Sequence, residues 1–246
     1  MALNTTVTAS LQGRVCNFQS AAAEEEWIAN VRDASSGTSN NTYTSNALVS
    51  DAIDLNWISG ARGNTGNICR TFLFFDNIDT ATGGGTITAA SLKVLGYSLG
   101  DLDVIPVSAS AWGGNGSTTT LSDANYSALN KDGSNNYTQY ASELTTWNTS
   151  AYNTFTLDSN AISDMNANGY LNVALVEFQY DFNNAVPTLG FNNSSGIEFL
   201  DSTNPIELSI TYNAASYGND VNGVTAANIV AVNGITVANI IEINGV

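Results

Sequence analysis

Side chains able to do chemistry are sparse in this chain. It has no histidine, which removes Ser-His-Asp and Cys-His arrangements together with the commonest zinc ligand and proton shuttle. Paired carboxylates could still serve glycosidase-type acid/base work, and Glu177 with Asp181, or the run Glu24, Glu25 and Glu26, are the clusters that offer them. Neither spacing forms a motif, so no catalytic residue is expected and the chain reads as a non-enzyme. Asp51, Asp54, Asp101 and Asp103 could lend oxygens to calcium, but without EF-hand spacing they read as solvated turn carboxylates. No metal and no cofactor is expected. Gly83-Gly84-Gly85 lacks the lysine and helix of a phosphate loop and reads as a flexible hairpin connection. Cys16 and Cys69 are too few for a disulfide scaffold and have no metal-type spacing, so both are expected as core thiols.

Aromatic rings are the other candidates. The segment from Trp112 to Trp147 is rich in Gly, Ser, Thr and Asn and reads as a long surface excursion. It carries Trp112, Tyr126, Tyr137, Tyr140 and Trp147, which either stack on sugar faces as glycan contacts or cap the open end of the domain. Charge narrows the partners further. Six basic against 22 acidic residues give a net charge of -16, which repels phosphate backbones and anionic lipid, so neither nucleic acid nor membrane insertion is expected. No apolar run reaches membrane-spanning length. Met1-Ala2-Leu3-Asn4 runs directly into a strand pattern without a secretory signal, an opening that implies synthesis in a cytoplasm.

The elements that must hold these residues are mostly strands. Short β-branched or aromatic runs alternate with Gly, Asn, Asp and Ser clusters, the clearest being 5–12, 14–18, 53–58, 69–75, 86–97, 104–108, 153–157, 170–180, 196–200 and 206–212. Such a pattern predicts an all-β sandwich over residues 1–213, with few and short helices. Both alternating faces of Cys69 to Phe75 are bulky, as in a central strand covered on each side. Arg70 lies within that run, and a guanidinium there needs carboxylate or carbonyl partners, so its role is expected to be structural. Helix signals occur where Asp158 can cap Ala161 to Met165 ahead of Asn168-Gly169, and where Ser122 can cap a segment to Leu129. Ser20 to Glu26 reads either as a helix start or as a loop entering a strand at Trp27.

Three stretches carry a family resemblance: Arg70-Thr71-Phe72-Leu73-Phe74-Phe75-Asp76, then Ile87 to Val94, then Asn204-Pro205-Ile206 through Tyr212. Their order resembles the DNRLRE-type domains, over about Val31 to Tyr212, although the six-letter signature naming that family is absent. The resemblance implies a jelly-roll, carbohydrate-binding-module-like domain of the kind found on bacterial surface proteins and virions.

Beyond a linker at 214–220, residues 221–246 repeat. Val221 to Ala231 is followed by Val232 to Glu242 and then by Ile243-Asn244-Gly245-Val246, two 11-residue units and the start of a third. Each unit is either a β coil turning at Asn-Gly or a single helical turn capped by Thr225 or Thr236; the placement of the caps favours the helical turn. Val221, Val224, Ile229, Val232, Ile235, Ile240, Ile243 and Val246 recur as apolar positions that so few repeats cannot bury alone. Hence the tail is expected to drive assembly, with copies of the same chain (a homo-oligomer, trimer included) and other virion proteins as partners, and glycans as a further partner class. It resembles the Asn-Gly-Val tails that end many structural proteins of tailed phages and some bacterial surface proteins. That resemblance implies a virion surface subunit, a head decoration or fibre or a tail-associated protein, placed on the virion after cytoplasmic synthesis. A glycan-binding adhesin, or a subunit of a bacterial surface layer or filament on the extracellular surface, is the alternative.

Overall fold

The computed structural model describes residues 2–43, 49–109, 120–129, 137–199, 201–215, 231–232 and 235–236. These form an all-β, sandwich-like protein whose named strand pairings are all antiparallel. In chain order the strands are β1 (Ala2–Thr8), β2 (Leu11–Ser20), β3 (Ser39–Tyr43), β4 (Val49–Gly60), β5 (Gly63–Phe75), β6 (Thr86–Gly100), β7 (Val104–Ser108), β8 (Tyr152–Thr156), β9 (Leu171–Glu177), β10 (Phe191–Phe199), β11 (Glu207–Asn213), β12 (Ala231–Val232) and β13 (Ile235–Thr236). Three α-helical segments, α1 (Glu24–Glu26), α2 (Ile78–Thr82) and α3 (Ser159–Asn168), join them, with π-helical turns at Trp27–Arg32 and Phe178–Phe182.

β1 to β11 make one continuous hydrogen-bonded network because two long strands change partners along their length. β6 pairs with β11 and β8 through its first part, then passes Gly96 to Gly100 to β10. β5 keeps β2 along one edge, while its other edge is shared by β4 up to Ile68 and by β9 from Thr71 onward. Cys69 to Phe75 are all buried, as the two-faced apolar run requires. The core gathers Phe72, Phe75, Leu92, Phe155, Phe199 and Leu208 with their neighbours.

Local signals explain both ends of α3. The Asp158 carboxylate accepts from the backbone N–H groups of Asn160 and Ala161, and Gly169 ends α3 at φ 72°, a left-handed conformation that favours glycine. Ser122 precedes a 3₁₀ turn, Asp123–Asn125, rather than a full helix, and its N–H donates to the Asn125 side chain. Trp27 enters a π-helical turn, not a strand: its ring and Val31 lie against Gly66, where a Cβ would collide with both.

Three expectations are corrected. Gly83-Gly84-Gly85 is not a hairpin loop, because α2 fills the connection and Gly83 closes it at φ 60°. In the tail, Thr236 lies in a strand instead of capping a helical turn: Ala231 pairs with Thr236 and Val232 with Ile235 in a separate two-stranded sheet. The rest of the tail, including Val221, Val224, Ile229, Ile240, Ile243 and Val246, lies outside the described residues. Finally, Cys16 and Cys69 are not free thiols. Register sets them opposite one another on β2 and β5, and they form a disulfide across 53 residues. Replacing both by alanine is expected to lower unfolding free energy by about 2–4 kcal/mol, the usual worth of a disulfide. Urea unfolding of oxidised protein and the double variant measures it; equal midpoints would show the bridge to be dispensable.

Candidate functional site

The densest polar cluster lies inside the protein, around Arg70. This side chain has no exposed surface. Its Nε donates to Asp181 Oδ2 at 2.8 Å and its Nη2 to Oδ1 at 2.8 Å, a two-pronged pair. Nη1 donates to the Tyr126 carbonyl at 2.7 Å and Nη2 to the Arg32 carbonyl at 3.2 Å. The Tyr126 ring covers the guanidinium, with its centroid 4.1 Å from Cζ. Burial works to lower the Arg70 pKa, but the charge of Asp181 prevails and holds it well above the ordinary arginine value. Arginine is the cation suited to this position, because its planar fork satisfies a carboxylate and two carbonyls together.

Each partner is held in turn. The Tyr126 hydroxyl donates to the Val31 carbonyl, and Asn17 Nδ2 donates to the carbonyls of Asn30 and Val31. Arg32 forks onto Asp33 and reaches the Asn184 carbonyl. Asp181 sits in the turn that follows β9, whose first residues are capped by Glu177: its carboxylate accepts from the N–H groups of Gln179, Tyr180 and Asp181. Glu177 is 2% exposed. Burial pushes its pKa up to about 7 against the pull of those three donors.

The two carboxylates that could have formed a catalytic pair are thus brought together, yet with their oxygens occupied by Arg70 and by backbone N–H groups, and with neither facing solvent. Glu24, Glu25 and Glu26 form an exposed helical turn. Asp51 and Asp54 converge on Arg14, Asp54 at 3.3 Å, and Asp51 also accepts from the Tyr43 hydroxyl. Among the described residues no group of three or more Asp, Glu or Cys side chains converges as a metal site would require.

Aromatic residues of the long excursion turn inward. Tyr126, Tyr140 and Trp147 are buried and Tyr137 packs against the core, stacked 6.0 Å from Phe182. The Trp147 indole donates to the Gly196 carbonyl and the Tyr140 hydroxyl to Asp164. In this arrangement Tyr126, Tyr140 and Trp147 offer no open face to a sugar; Trp112 lies outside the described residues. Phe18 and Tyr97, which sequence reasoning passed over, are the exposed large aromatic side chains among the described residues. Only strand register, which composition does not encode, could have singled them out. No protein-family model matches the chain, and no curated protein matches it in sequence.

Two outcomes follow from the cluster. Arg70→Met leaves Asp181 buried without its cation and is expected to destabilise by about 3–5 kcal/mol, and Arg70→Lys should recover only part of that; a lysine variant equal to wild type in urea unfolding would contradict the role given to the fork. For Glu177, the folded state holds a proton more tightly than the unfolded chain, so its contribution to stability is fully present below the ordinary carboxylate range. That contribution falls as pH rises toward about 7. Glu177→Gln should therefore lose this part of the pH dependence in melting curves recorded from pH 5 to 7.5, whereas parallel profiles would refute it.

Proposed function

We propose that the chain is a non-enzymatic structural subunit of a tailed-phage virion, a surface protein of the head or tail with a jelly-roll body, which assembles through residues 221–246. The observation that carries this reading is the tail. Its sequence repeats, and its described strands pair with each other in a two-stranded sheet of their own, outside the eleven-stranded network of the body. An isolated two-stranded sheet is marginal in water and presents unpaired backbone groups on both edges, so a tail of this kind gains most from other copies or other virion proteins. Supporting it, the two acidic groups nearest to a catalytic pair, Glu177 and Asp181, already serve as a helix cap and an ion pair.

The disulfide favours a second reading, a subunit or glycan-binding adhesin on an extracellular bacterial surface, since disulfides persist outside reducing cytoplasm. A virion reaches the same oxidising medium after release, and both readings place the mature protein outside the cell.

Deleting residues 221–246 in the phage that encodes the chain is expected to abolish its incorporation, measured by mass spectrometry of purified particles. Undiminished incorporation of the truncated chain, or absence of the intact chain from particles, would overturn the virion reading.

A further inference from the structure

We propose that the open edge of β1 in one copy receives the paired tail strands β12 and β13 of a second copy, which continue its sheet. β1 is the end strand of the body network: among the described residues it pairs with β11 alone, in unbroken register from Ala2 to Thr8. The Ala9 N–H donates to the Ile206 carbonyl at 3.0 Å, which fixes the phase of this ladder. Opposed residues of an antiparallel pair alternate between bonded and non-bonded positions. Leu3, Thr5 and Val7 therefore bond to β11, while the N–H and C=O groups of Asn4, Thr6 and Thr8 point out of the edge. α2 packs against β1 but bonds through its backbone within its own turn and to Gly169. Edges of this kind are ordinarily guarded by charge, proline, a bulge or a cover. β1 has seven residues, none charged and none proline, and its pairing carries no bulge.

Side-chain pattern and charge select the occupant. Leu3, Thr5 and Val7 lie opposite Tyr212, Ile210 and Leu208 and so face the core side, yet they are half-buried where Ile210 and Leu208 are fully buried. A strand added beside β1 covers them. In the tail, Val232 is opposite Ile235 and Ala231 opposite Thr236, which gives the two-stranded sheet one apolar face and one of small side chains. Set beside β1, the first continues the side of Leu3 and Val7, and the second that of Asn4, Thr6 and Thr8. A body with excess acid repels an acidic partner, whereas β1, β12 and β13 carry no charged residue. Joining β1 makes three consecutive strands of a tail sheet that is marginal as two, with main-chain hydrogen bonds as the source of affinity. The donor is a second copy because the tail sheet and the body sheet of one chain are separate. The tail leaves the body after β11, whose last residue Asn213 is opposite Ala2. Giving and receiving sites thus share one corner, where two copies can exchange tails.

Docking at β1 rests on the tail being the assembling segment and adds the place where it binds. The test is hydrogen exchange of the purified full chain, resolved to single amides by fragmentation mass spectrometry, from dilute to concentrated solution with sedimentation alongside. On association, exchange at Asn4, Thr6 and Thr8 is expected to slow about tenfold or more, while Leu3, Thr5 and Val7 stay protected throughout. Thr6→Pro removes an edge donor and no bond to β11. It is expected to raise the concentration needed for association about tenfold, with an unchanged melting temperature. If the proline variant unfolds, the wild-type exchange pattern alone decides the site. Association that leaves Asn4, Thr6 and Thr8 exchanging freely, or that a folded Thr6→Pro does not weaken, would overturn the β1 site and leave tail-driven assembly standing. Full protection of these amides in the dilute monomer would give the edge to a segment of the same chain and overturn exchange between copies. Absence of association at every concentration would overturn it equally, with the virion reading still decided by the composition of purified particles.

Discussion

A guanidinium with no exposed surface sets the terms for much of this fold. Arg70 sits at the middle of β5, so the backbone around it is already committed to β2 and β9 and cannot move to accommodate it. Partners had to be brought from outside the sheet: the Arg32 carbonyl at the end of the π-helical turn Trp27–Arg32, the carbonyl and ring of Tyr126, and the carboxylate of Asp181. Three short turns that lie outside the sheet thereby acquire fixed positions. A buried ion pair contributes little net stability once desolvation is counted. Its value here is in specifying where those segments lie, because any other arrangement strands a charge in the core.

The rest of the charge economy follows the same logic. Four of the six cations, Arg14, Arg32, Arg70 and Lys93, are each matched to a carboxylate within the molecule. Two of them, Arg32 and Arg70, are buried and fix internal geometry, and the excess acid that remains is what keeps polyanions away. The sandwich-like body needs little from that surface. β5 is sealed on both faces from Cys69 to Phe75, fastened to β2 by the Cys16–Cys69 bridge and continued by β4 and β9 along its opposite edge.

Periodicity made most strands legible: β6, β7, β8 and β11 match their runs closely and β4, β5, β9 and β10 overlap theirs, whereas the run 5–12 crosses the turn between β1 and β2 and the run 170–180 continues past β9 into a π-helical turn. β3 escaped because Ser39–Tyr43 has no apolar alternation and exists only through its pairing with β2. α2 escaped because Ile78–Thr82 is too short to display a 3.6-residue period and its glycine stop imitates a hairpin. Two cysteines 53 residues apart say nothing of pairing until register places them opposite each other. Arg70 was legible as a structural cation because both faces of its strand were bulky, but its partner Asp181 looked like half of a catalytic pair; sequence shows acidic neighbours and conceals what neutralises them. Inward turning of Tyr126, Tyr140 and Trp147 belongs to an irregular segment, where no period distinguishes an inside from an outside.

The tail and the body differ sharply in charge, which bears on the proposed assembly. All but one of the acidic residues and every basic residue precede Val221, leaving Glu242 as the single charged side chain of the tail. Copies of the body repel one another, more strongly at low salt, while the tails bring almost no charge to an encounter. The pairing of Val232 with Ile235 leaves two residues between the matched positions, the loop length that Asn-Gly supports in a tight hairpin. In the proposed assembly, contact is then confined to parts of the chain where closeness costs little electrostatic work, and the body is left facing outward with the surface it presents to solvent.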